Sequence, residues 1–549
     1  MDFFYKDENL KYLYLLIGLI YILGLFIPVM ENDSAQHAVM AMRMYLNNNP
    51  FDFFKGTQPY LDKPHMHFWL AALSYKIFGV HEWSYRIPAL LFTVLGAYSC
   101  YQLTKKLYHK DFAHYGAVIF LTSQSIILAN HDVRTDAVLT GATIFSIYQL
   151  HKYISTRKLI NIILGAIAMG ISFSTKGFYG PAIICFSLFT HLLYTKKFKV
   201  IFSYKVLIGI ATLIASILPV LYAYYVQFGE EGVKFILWNQ NIERAGGGHG
   251  NNSPDYFFFF HSLLWVFMPW ALLMYFGIYY QFKKWKNNSF KTGKNIEFLT
   301  IGGVIITLII ISFSKFKLPH YLNPLLPSLS VFTAGILFNL HKDGAKKTLA
   351  FFKYFLYFIT FAFTIVLIGL LGFTFDPPKL WVIIGGIILL ILLILNLITK
   401  TEDSKKIIIS SSLLMILVNF ILNTYFYPEL LKYQGGITIT QKIKEKDIDI
   451  NDIYIIPGNQ SWTMDFYTQR NTPEISINQI KNINKEIWVY TSTKGMVEKL
   501  KKQGIIIDEI FTANHFRVTK LNATFLNSKT RHKKLKTVAL LKIKPNPEK

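Results

Sequence analysis

The chain has 549 residues, of which 52% are hydrophobic, 16% are aromatic and only 16% are charged. A soluble domain devotes about a quarter of its residues to charged side chains, so this composition excludes one large soluble protein. The apolar residues are concentrated in runs of about 20 residues, the length that crosses a bilayer as a helix. The sequence therefore predicts a polytopic α-helical membrane protein.

The formal net charge of +25 does not indicate a nucleic-acid partner. Most Lys and Arg residues fall in short loops between the apolar runs, where the positive-inside rule and anionic lipid explain them. No basic helix or stacking motif accompanies them. The two cysteines, Cys100 and Cys185, lie inside apolar segments and are interpreted as core residues, not as a disulfide or a metal pair.

The first apolar run, 12–29, follows Lys6 and Lys11 and has no small-residue cleavage site. These features favour an uncleaved first span with a cytoplasmic amino terminus. Later runs of span length bring the predicted number of transmembrane helices to about thirteen. They lie near residues 85–104, 112–129, 136–153, 159–174, 179–194, 204–226, 260–282, 296–313, 321–340, 353–374, 379–399 and 407–426.

Alternate connections between these runs are rich in lysine, as expected of cytoplasmic loops. The other connections, 30–84 and 227–259 among them, are predicted to face outside the inner membrane. An odd number of spans also places everything after Pro428 outside. From about Gly435 apolar strands alternate with amphipathic segments. We therefore expect a transmembrane domain over 1–430 and a soluble extracytoplasmic, periplasmic α/β domain over 435–549.

Acidic residues stand at the outside ends of two predicted helices. Asp33 follows the first span, and Asp132 and Asp136 lie four residues apart ahead of the fourth, so that a helix would place them on one face. An ionisable group in a membrane segment costs at least about 2.5 kcal/mol, which by default indicates a function. For any single Asp the alternative is a solvated helix boundary or a cap.

Basic residues at the same predicted face run against the positive-inside rule and need another explanation. An anion at the membrane surface, such as a lipid phosphate, would supply one, because Lys binds phosphate as a point charge. Snorkelling toward lipid headgroups is the alternative. The residues concerned are Lys63, Arg134, Lys176, Arg244, Lys315 and Lys317, and the glycine-rich segment 246–252 is interpreted as a mobile loop over the site.

A metal site is a further possibility in these outside loops. Asp62 together with His65, His67, His249 and His320 could supply ligands. Their spacing matches no strong zinc signature, so the residues alone leave the question open.

Several segments follow one another in an order that resembles the lipid-linked-sugar glycosyltransferases of the GT-C fold. This group includes the aminoarabinose transferase of lipid A and the protein O-mannosyltransferases. The resemblance covers most of residues 10–340. The segments are NDSAQHAVMAMRM, YLDKPHMHFWLAALSYKIFGVHEWSYRIP, VRTDAVL, FSTKGFYGP, the stretch from NIERAGGGHGNNSPDYFFFF to MPW, and SKFKLPHYLNPLLP.

The resemblance implies roles for individual residues. Asp33 matches the catalytic acid that takes a proton from the acceptor hydroxyl, and Asp136 matches a second acidic position in the same cleft. The chain departs from the pattern at Ser34, where glutamate is common, and at His37, where tyrosine is usual. The carrier phosphate would be held by Lys63, Lys176, Arg244, Arg134 and Tyr321, and a divalent ion (zinc, magnesium or manganese) could lie at Asp62 and His320.

The predicted function is transfer of a sugar from a polyprenyl-phosphate carrier to a hydroxyl or phosphate acceptor on the outer face of the inner membrane. The resemblance favours a lipid A-like acceptor. Another envelope glycan, or a protein Ser or Thr as in the O-mannosyltransferases, stays open, and the carboxy-terminal domain could recruit the acceptor. A lipid-linked-sugar transporter or flippase is the alternative from another class, but transporters tend to show internal repeats and charges near the midplane.

Overall fold

The protein is described here by a computed structural model that covers residues 9–239, 255–291, 293 and 296–545. Arg244, His249 and the glycine-rich segment 246–252 lie outside the described residues. The helices up to residue 239 are α1 (Leu10–Leu25), α2 (Asp33–Leu46), α3 (Met66–Phe78), α4 (Glu82–Leu107), α5 (Ala113–Leu121), α6 (Gln124–His131), α7 (Asp136–Thr156), α8 (Leu159–Lys176), α9 (Tyr179–Thr195) and α10 (Tyr204–Lys234).

The later helices continue the bundle and then pass into a sheet. They are α11 (Phe258–Val266), α12 (Ala271–Asn287), α13 (Ile301–Phe313), α14 (Leu326–Lys342), α15 (Lys346–Phe373), α16 (Leu380–Ile398), α17 (Asp403–Ile421), α18 (Tyr427–Leu431), α19 (Gly435–Glu445), α20 (Trp462–Thr468), α21 (Ile477–Ile480), α22 (Met496–Lys502) and α23 (Ala523–Leu526).

Within the described residues, seven helices are long and apolar enough to cross a membrane, or eight if the bent pair Lys110–Leu121 and Gln124–His131 forms one span. This confirms a helical membrane protein, whereas the number of about thirteen spans stays a prediction. The seven are Glu82–Leu107, Leu159–Lys176, Tyr204–Asn239, Pro319–Lys342, Lys346–Phe373, Leu380–Ile398 and Asp403–Leu431.

Several of the expected spans are short or interrupted. Helices α1 and α13 are apolar but have only 16 and 13 residues. The run expected at 260–282 is divided into α11 and α12 around Pro269, which has no N–H to continue a helical ladder. The run expected at 112–129 bends by 53° between α5 and α6. Hydropathy predicted the apolar segments but not the points at which they bend.

Exposed apolar helices mark the surface that faces lipid. Only 17% of the apolar window of Tyr204–Asn239 and of Lys346–Phe373 is buried, compared with 89% for Pro319–Lys342 and Asp403–Leu431. In a bilayer, exposed Leu, Ile and Phe side chains are solvated by lipid tails, and the helical backbone satisfies its own polar groups. The last two helices therefore form the centre of the bundle.

Small residues let the helices that carry the acidic residues approach closely. A Cβ at Gly141, on α7, would lie 2.1 Å from the carbonyl oxygen of Phe92 on α4. Such contacts between small residues are the usual basis of helix packing in membranes, where the hydrophobic effect does not hold helices together. The start of α7, which is Asp136, is thus fixed against α4.

Strands β1 (Phe54–Lys55) and β2 (Gln58–Pro59) form a short antiparallel hairpin between α2 and α3. After α19 the chain forms β3 (Ile453–Ile455), β4 (Ile487–Thr491), β5 (Ile506–His515) and β6 (Lys536–Lys544), which make a four-stranded sheet with the order β3-β4-β6-β5. Strands β3 and β4 are parallel, and β6 is antiparallel to β4 and to β5. Strand β5 is a mostly exposed edge strand whose apolar pattern is interrupted by Asp508 and Glu509. Whether 435–549 is a separate domain stays a prediction.

Candidate functional site

Two adjacent cavities lie where α2 and α7 begin. The first, the lysine chamber, has a volume of about 400 Å³ and is lined by residues that include Lys55, Lys63, Lys176, Asp62, Tyr60 and Tyr321. The second, the C-terminal chamber, has a volume of about 430 Å³ and is lined by residues that include Asn32, Ser125, Trp265, Arg517, Thr519 and Lys520. Both volumes suit a small-molecule group. The two chambers share a partition formed by Asp33, Arg134, Asp136, Leu318 and His320.

Both acidic residues of the partition begin helices. Asp33 is the first residue of α2, and Asp136 is the first residue of α7. The first N–H groups of a helix have no partner within the helix, and the helix dipole favours a negative charge at this end. Backbone N–H groups and the positive end of a helix dipole therefore lie beside both carboxylates.

Asp33 belongs to a partly exposed group of charges. Its Oδ2 lies 2.9 Å from Nη1 of Arg134, whose Nη2 donates to Oδ2 of Asp132 at 2.8 Å. Burial lowers the pKa of Arg134, but the carboxylates of Asp132 and Asp33 outweigh this effect and the pKa is raised. The Asp33 side chain is 54% exposed, so it is open to a ligand from either chamber.

Asp136 belongs to a buried pair. Its Oδ1 lies 2.7 Å from Nζ of Lys176, and the two side chains are only 5% and 4% exposed. The Lys176 ammonium also lies 4.7 Å from the centre of the Tyr321 ring, a cation–π contact. Helix α8 ends at Lys176 because Gly177 has φ +65°, which glycine adopts without strain. This turn fixes the lysine at the floor of the lysine chamber.

The opposite wall of the lysine chamber comes from the loop between α2 and α3. Nζ of Lys63 lies 2.5 Å from Oδ2 of Asp62. A short antiparallel hairpin, β1 (Phe54–Lys55) and β2 (Gln58–Pro59), carries Lys55. Arg43 holds this hairpin to α2 by donating to Asp52 at 2.8 Å and to the carbonyl oxygen of Gly56 at 2.9 Å. The loop is therefore an ordered wall.

Arg86 joins the two segments that carry the acidic residues. This fully buried side chain on α4 donates to the carbonyl oxygens of Leu25 at 2.8 Å and Pro28 at 3.1 Å. It also donates to the carbonyl oxygens of Ile27 and His131, the latter at 3.0 Å. The end of α1 and the end of α6 are thereby held together, which sets Asp33 beside Arg134. Arg86 belongs to the segment ending in SYRIP that carries the family resemblance, but the sequence did not indicate that it bonds to these carbonyl oxygens.

The segments around the C-terminal sheet, here called the C-terminal layer (residues 434–545), contact the residues directly before Asp33. Glu31 is buried, and its Oε1 accepts from the backbone N–H and the hydroxyl of Thr463 at 3.0 and 2.6 Å, at the start of α20. Gln434 accepts from the Glu31 N–H and donates to the carbonyl oxygen of Val29 at 2.9 Å. The hydroxyl of Tyr467 accepts from the Val29 N–H. The loop that bears the acid is thus packed on the C-terminal layer.

A neutral histidine also faces the lysine chamber. Burial lowers the pKa of His37 well below its ordinary value, and nearby His67 and Lys63 lower it further. Burial likewise lowers the pKa of His67 to about 4. At neutral pH His37 can therefore exchange hydrogen bonds with a ligand, but it cannot serve as a cation.

The structure brings most of the predicted residues to one place. Arg244 lies outside the described residues, and Lys315 and Lys317 line neither chamber. The sequence analysis missed Lys55, although Gly56 directly after it is typical of a turn. It also missed Arg517 and Lys520, which no local sequence pattern distinguishes. The predicted residues that line the lysine chamber are Asp33, Asp62, Lys63, Arg134, Asp136, Lys176, His320 and Tyr321.

The expected metal position brings together two potential ligands, Asp62 and His320, among the described residues. Among the described residues, no group of three His, Cys, Asp or Glu side chains comes together in a way that could hold one. Asp62 and His320 line the same chamber, but Asp62 is paired with Lys63. The metal site at Asp62 and His320 stays a prediction, and we derive no step through it.

The chain is similar in sequence to known transferases. The profile of the dolichyl-phosphate-mannose-protein mannosyltransferase family matches residues 62–223. Undecaprenyl phosphate-alpha-4-amino-4-deoxy-L-arabinose arabinosyl transferase 1 of Pseudomonas fluorescens is 25% identical over 356 residues, which cover 62% of each chain. The corresponding transferase of Wigglesworthia glossinidia brevipalpis is 25% identical over 334 residues, covering 58% of this chain and 56% of that one. The chain thus spans about three fifths of the length of the curated relatives it matches.

The fold is similar to that of a solved structure over nearly the whole chain. The crystal structure of ArnT from Cupriavidus metallidurans bound to undecaprenyl phosphate superposes with a TM-score of 0.74 at 15% identity, covering 96% of this chain and 97% of that chain. The apo structure of the same protein gives a TM-score of 0.73. The expected GT-C fold, and the similarity to the aminoarabinose transferases, are confirmed.

Proposed function

We propose that this chain is a membrane glycosyltransferase that moves a sugar from a polyprenyl-phosphate carrier to an acceptor O–H group at the membrane surface. The observation that carries the proposal is the partition between the two chambers, where a half-exposed carboxylate, Asp33, stands beside the lysine chamber. The relatives named as undecaprenyl-phosphate arabinosyl transferases support this reaction class.

The lysine chamber suits the carrier phosphate. Lys63 and Lys176 both line it, and Lys55 adds a third ammonium group. As the bond between the sugar and the phosphate breaks, negative charge grows on the departing phosphate, and fixed cations stabilise that charge. Their carboxylate partners hold the lysines in position before the substrate binds. Arg134 and Tyr321 line the same chamber and would orient the phosphate.

Asp33 suits the part of general base. Its carboxylate would accept the proton of the acceptor hydroxyl, or of a singly protonated phosphate, as the oxygen attacks the anomeric carbon. General-base catalysis contributes about 10²- to 10⁴-fold. A single displacement of this kind inverts the anomeric centre. Asp136 is fixed in its pair with Lys176 and positions that lysine, so it takes no proton in this mechanism.

The orientation of the chain follows the distribution of lysine between the loops. We propose about thirteen spans, a cytoplasmic amino terminus, and both chambers at the outer face of the inner membrane together with the carboxy-terminal residues. The lysine-rich connections between alternate spans support this arrangement. A carrier lipid would hold its phosphate at this depth. A lipid A-like glycolipid is the favoured acceptor, because the relatives are aminoarabinose transferases.

The proposal is tested with the full chain reconstituted in vesicles with lipid A and aminoarabinose-charged undecaprenyl phosphate. Mass spectrometry measures sugar on the acceptor. Asp33→Asn should reduce transfer at least about 100-fold, while undecaprenyl phosphate still binds. Asp111→Asn is the matched control, because Asp111 is 60% exposed and lines neither chamber.

Two outcomes would contradict the proposal. An Asp33→Asn variant with full activity would remove Asp33 as the base. A wild-type chain that makes no transfer product with any acceptor, but moves the charged carrier across the vesicle membrane, would identify a flippase instead.

A further inference from the structure

The C-terminal chamber contains two cations that the proposed reaction does not use. Arg517 and Lys520 line this cavity, and Thr519 lies between them in sequence and in the same wall. Both cationic residues are exposed, and neither forms an ion pair within the described part of the chain. Most other charges near the partition are already paired, so these two are available to a ligand.

The backbone holds these side chains toward the cavity. Phe516 and Val518 are 6% and 4% exposed and belong to the main apolar core, where Phe516 stacks on Phe525 at 3.7 Å. Arg517, which lies between them, and Thr519 and Lys520, which follow Val518, are exposed. The Lys520 N–H donates to the carbonyl oxygen of Arg517 at 2.9 Å, which closes a turn. Buried neighbours and a closed turn thus fix the segment.

The same cavity reaches the proposed general base. Asp33 lines both chambers, and so does Arg134. If the carrier phosphate lies in the lysine chamber, an acceptor must approach Asp33 from the opposite side, which is the C-terminal chamber. An anionic acceptor would be repelled by Asp33, Asp132 and Asp136 unless further cations were present. Arg134 and Lys176 already neutralise part of that charge, and Arg517 and Lys520 supply the remainder.

We propose that Arg517 and Lys520 form the binding site for a phosphate group of the acceptor, and that this contact brings the accepting oxygen to Asp33. This inference rests on the proposed function and specifies its acceptor as a phosphorylated glycolipid. The guanidinium of Arg517, the ammonium of Lys520 and the hydroxyl of Thr519 can donate hydrogen bonds to the oxygens of a phosphate monoester, and the two cations balance its double negative charge. Trp265, in the same cavity, offers an aromatic face to a sugar ring.

Binding is measured first, with the purified full chain in detergent. The probes are bisphosphorylated lipid A, its dephosphorylated form, phosphatidylglycerol and undecaprenyl phosphate. We expect the wild type to bind bisphosphorylated lipid A about tenfold more tightly than the dephosphorylated form. Arg517→Gln with Lys520→Gln should abolish that difference and leave undecaprenyl phosphate binding unchanged. The matched control, Lys501→Gln with Lys502→Gln, removes the same charge from α22, which lines neither chamber.

Transfer kinetics give a second, independent measurement. In the double variant the KM for lipid A should rise about tenfold, while kcat stays within about twofold, because the chemical groups are intact. The single variant Arg517→Lys should keep part of the wild-type affinity for lipid A, since it retains the positive charge but loses the planar guanidinium group. A thermal unfolding temperature equal to that of the wild type shows that the double variant is folded, so that any change in the binding of either lipid is attributable to the two cations.

Several outcomes would overturn the inference. Equal loss of undecaprenyl phosphate binding would assign the cations to the donor. Unchanged KM for lipid A, an equal effect on phosphatidylglycerol, or preferential binding of an unphosphorylated Ser or Thr peptide would remove the acceptor-phosphate site. If the wild type transfers sugar while KM is unchanged in the double variant, only this inference fails. If the wild type makes no transfer product, the proposed function itself fails.

Discussion

Two acid–base pairs meet at the partition, and they differ in how deeply they are buried. Asp33 and Arg134 are 54% and 22% exposed, whereas Asp136 and Lys176 are 5% and 4% exposed. The N–O distances are similar, at 2.9 and 2.7 Å. The distances alone would give both acids the same role. The difference in burial distinguishes the role of Asp33 from that of Asp136.

The difference in burial determines what each carboxylate can do. A pair near solvent contributes about 0–1 kcal/mol, so Asp33 can exchange Arg134 for an acceptor hydroxyl at small cost. Removing one member of a buried pair costs about 3–5 kcal/mol, because the other charge is left unpaired. Asp136 is thus bound to Lys176 throughout the reaction. The exposed pair is suited to proton transfer and the buried pair to positioning a cation.

The largest effect should come from breaking the buried pair. Asp136→Asn leaves the Lys176 ammonium buried beside a neutral amide, so we expect the free energy of unfolding to fall by about 3–5 kcal/mol. Transfer should fall as well, because Lys176 is no longer held toward the lysine chamber. Thermal unfolding of the purified protein and the transfer assay measure the two losses.

A double variant separates these two effects. Asp136→Asn combined with Lys176→Met removes both charges, so stability should return toward the wild type while transfer stays low. If the double variant were as unstable as the single one, the buried pair would not be the source of the stability difference.

The next effect concerns Arg86, which joins the segment before Asp33 to the segment before Arg134. Arg86→Lys replaces a planar fork that reaches four carbonyl oxygens by one ammonium group. We expect a loss of about 2–3 kcal/mol and a transfer rate lowered about tenfold, read from thermal unfolding and the transfer assay. Arg470→Lys is the control, since Arg470 also donates to a backbone carbonyl oxygen, that of Ile453, but in the C-terminal sheet. Equal losses in both variants would remove the special role of Arg86.

A smaller change in stability should accompany loss of the exposed pair. Arg134→Gln should change the free energy of unfolding by no more than about 1 kcal/mol and yet lower transfer about tenfold, because Asp33 loses the group that orients it. Chemical denaturation and the transfer assay are compared for the same preparation. A destabilisation as large as that of Asp136→Asn would show that exposure does not distinguish the two pairs.

The sequence predicted the helical segments and the chamber's main residues for separate reasons. Apolar runs revealed the helices, since burial in lipid requires them, and polar residues at their ends revealed Asp33, Asp136, Lys63 and Lys176. The pairing could not be predicted, because Lys176 is 40 residues from Asp136 and the contact depends on how α7 packs on α8. Exposure, which separates the two acids, is a property of the packed bundle.

The C-terminal chamber could not be predicted at all. Arg517 and Lys520 are two of many basic residues after Gly435, and no local motif distinguishes them. Their position depends on Phe516 stacking against Phe525, a contact between segments that the sequence does not mark. The link from Glu31 to Thr463 is equally long-range, with a sequence separation of 432 residues. Tertiary packing alone joins these regions.

The buried carboxylate of Asp465 can be compared with that of Asp136, because among the described residues it has hydrogen-bond donors but no cationic partner. Its Oδ1 accepts from the N–H and hydroxyl of Thr472 at 3.2 and 2.6 Å. Burial raises its pKa from 3.8 to about 7, and the nearby Glu31 carboxylate adds to the shift. The folded state therefore keeps the proton to higher pH than the unfolded state does. Stability from this group falls as pH rises from about 4 to about 7 and is then constant.

Asp465→Asn removes this titration and should have the smallest effect on transfer, because Asp465 lines neither chamber; its effect on stability is confined to one pH range. At pH 8 the free energy of unfolding of the variant should exceed that of the wild type by an amount on the order of 4 kcal/mol, because a buried charge has become neutral. At pH 4, near the pKa of the unfolded state, the wild type has lost little of this stability, so the two proteins should unfold at nearly the same temperature. Thermal unfolding at both pH values measures this difference, with Asp452→Asn as the control, because the Asp452 side chain is 32% exposed and already paired with Lys485. A gain of equal size at pH 4 and pH 8 would mean that the amide packs better for reasons unrelated to charge, and that a cation is not what distinguishes Asp136 from Asp465.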